Sequence, residues 1–107
     1  MRTLRKKKDF NRLFKKGRGT EEYFLKVFFL RNEKKENRWA FVIPKTAGKK
    51  AVIRNKLRRA IKEWVRKQKS KSEKCMDVLF LVKKREAPPT NKKIYEELEK
   101  IYPKIFS

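Results

Sequence analysis

The chain has 107 residues, enough for one domain with a single core and too few for two. Thirty-four Lys and Arg against 12 Asp and Glu give a formal net charge of +22, while 38% hydrophobic residues, eight of them Phe, can still build a core, which excludes a disordered basic tail. Histidine is absent, so no Ser/His/Asp or Cys/His constellation can form and the commonest general base and metal ligand are missing.

A charge of this size opposes compaction unless a polyanion neutralises it, which leaves RNA, DNA or an anionic membrane as the expected partner. The membrane fits worst, because no apolar run approaches 18 residues and no apolar signal segment with a cleavage site is present. A cytoplasmic location with no membrane partner is therefore expected. Cys75 is the sole cysteine, which rules out an internal disulfide or a cysteine metal cluster and suggests a buried thiol beside a strand.

In chain order, Met1 to Lys8 is basic with little apolar content and is expected to be a flexible N-terminal arm, with residues 9–107 forming the domain. Asp9 to Lys16 places Phe10, Leu13 and Phe14 at i, i+3 and i+4 before Gly17, which predicts a short helix with a glycine cap. By periodicity alone, that spacing favours packing of the two Phe against a core. Glu22 to Arg31 is rich in β-formers, Asn32 to Asn37 is a polar turn, and Arg38 to Ile43 predicts a second strand, an antiparallel hairpin ended by Pro44. A basic loop from Lys45 to Ala51 leads into a long helix from about Val52 to Gln68. After a charged connector, Lys69 to Lys74, the run Asp77 to Val82 is continuously apolar past its first residue, as in a strand buried on both faces. Thr90 is a candidate N-cap for a last helix that Pro103 should end, with Ile94, Leu98 and Ile101 facing the core. The order predicts a single-domain α+β fold, a small mixed sheet sandwiched with three helices.

Between Lys49 and Lys67 nine Lys or Arg residues accompany one acid, Glu63. Ile53, Leu57, Ala60, Ile61 and Trp64 share one arc of that helix, and Arg54, Arg58, Lys62 and Arg66 step by four along its outer side, with Asn55 and Arg59 nearby. A merely solvated helix face usually interleaves both signs, and this one does not. A core-packed helix holds such cations about 6 Å apart, in reach of successive phosphates, and Arg adds bidentate donors for them. The carboxylates fall in exposed-looking settings such as Glu96, Glu97 and Glu99, with two Asp, Asp9 and Asp77. Gly48 lacks the partners of a phosphate-binding loop. The polypeptide alone is not expected to catalyse cleavage.

Three segments carry a resemblance: KKKDFNRLFKKG at Lys6 to Gly17, RWAFVIPK at Arg38 to Lys45, and KKAVIRNKLRRAIKEW at Lys49 to Trp64. Together with DVLFLVKK and YEELEKIYPKIF, they make the chain resemble the protein component of bacterial ribonuclease P over nearly its whole length. The resemblance implies a fold like ribosomal protein S5 domain 2, with a left-handed βαβ crossover. It also implies a role in removing the 5′ leader of precursor tRNA. The RNA subunit performs the hydrolysis with Mg2+ held by RNA and substrate, and the protein binds the RNA subunit and the leader. The resemblance further implies that no other protein partner is required and that the protein alone binds no cofactor.

By the same resemblance, Arg54, Asn55, Lys56, Arg58, Arg59 and Lys62 would face the ribozyme RNA and the cleavage region. Lys56 keeps the charge where the family usually has Arg. Lys45, Lys49 and Lys50 would form a basic loop, with Pro44 where a small residue is usual. Phe10, Phe14 and Val27 would line the leader-binding cleft, with Phe28 adjacent to Val27. The residues alone also admit a ribosomal or general structural RNA-binding protein, a DNA-binding architectural protein, or a metal nuclease built on Asp9 or Asp77.

Overall fold

Met76–Val82 has no polar alternation past Asp77, so it can turn neither side to water, and it takes the centre of the sheet. The computed structural model describes residues 2–34, 36–68 and 75–106; the connector expected at 69–74 lies outside them. The elements run β1 (Arg2–Thr3), α1 (Lys7–Lys16), β2 (Arg18–Glu21), β3 (Leu25–Arg31), β4 (Arg38–Val42), α2 (Ala51–Lys67), β5 (Met76–Val82) and α3 (Asn91–Ile105). One mixed sheet has the order β1-β4-β5-β3-β2, with β4 parallel to β1 and β5, and β3 antiparallel to β5 and β2. The predicted α+β sandwich of three helices on a small mixed sheet is the observed fold, and α2 joins the parallel neighbours β4 and β5.

The strand pairing corrects the predicted hairpin. β5 lies between β3 and β4, because its doubly apolar strand is worth more in the interior than at an edge. The hairpin forms instead between β3 and β2, a polar edge strand that hydrophobic patterning did not signal. At the N-terminus Arg2 and Thr3 pair with β4, the Leu4 amide donates to the Trp39 carbonyl at 2.7 Å, and Leu4 is buried.

The sheet has two unlike faces. On one, Leu25, Val27, Phe29, Trp39, Val78, Phe80 and Val82 pack against Leu57, Ile61 and Val65 of α2 and Ile94, Leu98, Ile101 and Ile105 of α3. Trp39 and Phe41 stack with Phe80 at 6.1 and 5.7 Å. On the other, α1 sets Leu13 against Leu4, Ala40 and Leu79, a smaller core with Phe10, Phe28, Leu30 and Leu81 at its margin.

Helix ends show where local rules held. Thr90 caps α3, its side chain accepting from the Lys93 amide at 3.2 Å. Pro103 does not end α3, which runs on to Ile105; burial of Ile105 and the contacts of Phe106 with Trp39 and Tyr102 hold the last turn against the missing N–H. Gly17 follows α1 in an extended conformation rather than a left-handed cap. It is glycine for space, since a Cβ there would sit 2.4 Å from the Leu13 carbonyl oxygen and 3.2 Å from that of Phe29. Cys75, expected to be buried, is half-exposed.

Candidate nucleic-acid interface

α1 covers only part of its sheet face, and partly buried or exposed aromatic side chains form the margin beside it, the surface here called the groove. Phe14 is 54% exposed and meets Phe28 edge-on, with ring centroids 5.0 Å apart at 83°. Phe10 is half-buried at the same margin, and the Lys26 Nζ lies 5.2 Å from the Phe28 ring centroid. Rings that are backed by other rings keep a face or edge for a base, and a cation beside them can meet a phosphate. Phe10 and Phe14 are thus brought together at the groove. Val27 is not: it is fully buried under α2 and α3. Strand alternation turns Phe28 to the groove in its place, because pairing with β5 sets Val27 opposite Phe80 and Phe28 opposite Leu79.

On α2 the apolar stripe is used as predicted, with Leu57, Ala60, Ile61 and Val65 buried and Ile53 and Trp64 packed against the core. This fixes the cations on the outer side. Asn55, Arg58, Arg59, Lys62 and Glu63 line a shallow depression of about 290 Å³. Lys56, Arg59 and Lys62 are exposed, and the Lys62 Nζ rests 5.6 Å from the Phe41 ring centroid. Arg58 donates to the Asn55 side-chain oxygen at 3.2 Å, and Arg66 pairs with Glu63 at 2.8 Å. Arg54 turns away from this patch. Its Nη1 donates to the carbonyls of Gly48 at 2.8 Å and Lys49 at 3.1 Å, folding the basic loop onto the first turn of α2. Lys45, Lys49 and Lys50 of that loop are exposed. The first turn of α2 holds no acid and no side-chain cap, so its free N–H groups add to the positive potential there.

Several of the acids are engaged within the fold. Arg38 binds Asp77 with two hydrogen bonds, Nε to Oδ1 at 2.8 Å and Nη2 to Oδ2 at 2.6 Å, and also reaches Asp9 at 3.5 Å. The hydrogen bond to Asp77 raises the Arg38 pKa above the usual guanidinium value, and both Asp charges help. Asn32 completes the network by donating to Asp77 at 2.8 Å. Glu97, which its neighbours made look exposed, is buried: its carboxylate accepts the amides of Phe24 and Leu25, each at 2.9 Å, and anchors the start of β3 to α3. Its position in line with Ile94, Leu98 and Ile101 was the available signal. Among the described residues no group of three or more His, Cys, Asp or Glu side chains could hold a metal ion.

The arrangement defines a class: a small basic α+β domain with partly exposed aromatic side chains on one sheet face and a core-packed cationic helix on the other. The Ribonuclease P family model matches residues 1–105. The ribonuclease P protein component of Fusobacterium nucleatum is 26% identical, the match covering 99% of this chain and 95% of that one. That of Thermotoga petrophila is 32% identical over 92% of this chain and 76% of the relative. The solved RNase P protein of Staphylococcus aureus superposes with a TM-score of 0.87 at 28% identity, covering 100% of this chain and 99% of that one. The RNase P protein from Thermotoga maritima gives 0.83 at 26% identity, with 100% of both chains covered. The chain belongs to the family of ribonuclease P protein components, the protein part of the tRNA-processing endoribonuclease. Among the described residues no helix is long and apolar enough to cross a membrane.

Proposed function

We propose that this protein holds the single-stranded 5′ leader of precursor tRNA in the groove between α1 and the sheet, while α2 and its preceding loop grip the RNA subunit. The observation that carries this reading is the exposed Phe14 set edge-on against Phe28 beside Lys26, on the one sheet face left partly uncovered. Unpaired bases stack on such rings, which a base-paired stem cannot do. Phe10, Phe14 and Phe28 line the groove. Asn55, Lys56, Arg58, Arg59 and Lys62 meet RNA near the cleavage site, joined by Lys45, Lys49 and Lys50, and Arg54 holds the loop that carries those lysines.

The bond-breaking falls to the RNA subunit, with Mg2+ held by RNA and substrate. The described acids support this division, since Asp9, Asp77 and Glu97 are engaged by Arg38 or by backbone amides. What the polypeptide contributes is substrate affinity and compensation of phosphate charge where the RNAs crowd together.

The test is cleavage of precursor tRNA at low magnesium by a cognate ribozyme RNA, with and without the protein. Faster cleavage on addition, and none by the protein alone, is expected. An unchanged rate would favour a general structural RNA-binding protein. Cleavage by the protein alone that is lost in Asp9 or Asp77 variants would favour a metal nuclease.

A further inference from the structure

Two exposed large aromatic side chains stand out among the described residues, Phe14 and Tyr23, each 54% exposed. Tyr23 lies in the bend before β3, outside the groove described above, and its surroundings repeat those of Phe14. Each ring meets a neighbour edge-on: Phe14 on Phe28 at 5.0 Å and 83°, Tyr23 on Phe24 at 4.8 Å and 85°. Each pair carries a cation over a ring, Lys26 over Phe28 at 5.2 Å and Arg85 over Tyr23 at 4.3 Å. Arg85 is also pinned, its Nε donating to the Tyr23 carbonyl oxygen at 2.8 Å, so the guanidinium plane is held against the ring. Arg85 is exposed, and the plane turned away from Tyr23 can take an unpaired base while its N–H groups meet phosphate.

The pair sits where β3 begins and β5 ends. Phe24 packs at the edge of the core under α2 and α3, the Lys83 amide donates to its carbonyl oxygen at 2.7 Å, and the Lys83 side chain pairs with Glu21 at 3.0 Å. Four residues lie between Tyr23 and Phe28, a reach of at most about 18 Å if fully extended. We propose that Tyr23 and Arg85 form a second stacking position for unpaired RNA, which takes a leader nucleotide farther from the cleavage site than those held by Phe14 and Phe28. This rests on the reading of the groove as the leader site.

The experiment is equilibrium binding of precursor tRNA to the reconstituted holoenzyme with two leaders. One fills the groove at Phe14 but is too short to reach Tyr23; the other passes both. Tyr23→Ala and Arg85→Lys should each weaken the long-leader precursor about fivefold or more and leave the short-leader precursor unchanged. Tyr23→Phe should behave as wild type. Tyr23→Ala keeps the backbone carbonyl that Arg85 binds, and Arg85→Lys keeps the charge without the plane, so a loss in both identifies stacking. No loss with the long leader, or an equal loss with both, would overturn the proposal. Phe14→Ala in the same assay separates the two readings: a loss there with Tyr23→Ala silent leaves the groove standing and removes the second position, whereas silence in both removes the groove as well.

Discussion

The face of the sheet under α2 and α3 is sealed, with Val27, Val78, Val82, Ile94, Leu98 and Ile101 wholly out of water, whereas the face under α1 is only half covered and leaves Phe14 in solvent. The same residue type serves both: Phe80 is stacked in the sealed layer and Phe14 stands at the rim. What differs is how much of the face the neighbouring helices cover. The sealed face carries stability, and the half-covered face is free to meet another molecule. Cations divide in the same way, Arg38 being spent inside on Asp77 and Asp9 while Arg59 and Lys62 are left outside.

The largest effects should come from opening the sealed parts. Arg38→Ala leaves two carboxylates buried without their partner and should cost about 3–5 kcal/mol in urea unfolding. Phe80→Ala should lose about 3–5 kcal/mol in the same measurement, while Phe14→Ala should lose less than about 1 kcal/mol and yet weaken leader binding by about 1–3 kcal/mol. If both Phe variants affect unfolding equally, the two faces are not distinct.

A smaller effect separates the cations. If the complex neutralises about five phosphates, the log-log dependence of RNA affinity on salt has a slope near −4. Arg59→Gln should reduce its magnitude by somewhat less than about one unit, and Arg54→Gln should leave it nearly unchanged, because Arg54 is bound to the Gly48 and Lys49 carbonyls.

The smallest effect is a pH dependence. Burial raises the Tyr102 pKa above its usual 10.0, beside the Trp64 ring at 5.3 Å. A raised pKa favours the protonated phenol in the fold, so its share of stability is complete below about pH 10 and is lost as pH rises through the folded value. Wild type should therefore lose stability relative to Tyr102→Phe in alkaline urea titrations and match its pH trend near neutrality.

Local signals carried much of this fold in the sequence. The stripe on α2 has a helical period, β5 is an unbroken apolar run past Asp77, and Thr90 stands at a helix start; each depends on near neighbours. What escaped was decided by distant partners. Val27, Phe28, Phe29 and Leu30 are apolar on both parities, so only the pairing with β5 determines that Phe28 faces α1. Arg18–Glu21 has little apolar content and becomes a strand because β3 offers it an edge. Glu97 was hidden by acidic neighbours on both sides, and Arg54 looked like its outward-facing fellows until the loop carbonyls claimed it. The Tyr23–Arg85 contact spans 62 positions and has no local signature.

The central claim, that the half-covered face takes the unpaired leader, is tested most directly by comparing precursor and mature tRNA affinities of the holoenzyme reconstituted with wild type or with the Phe14→Ala/Phe28→Ala double variant. Wild type should bind precursor more tightly, and the double variant should lose most of that preference while binding mature tRNA as before. A preference retained in full by the double variant would contradict the account.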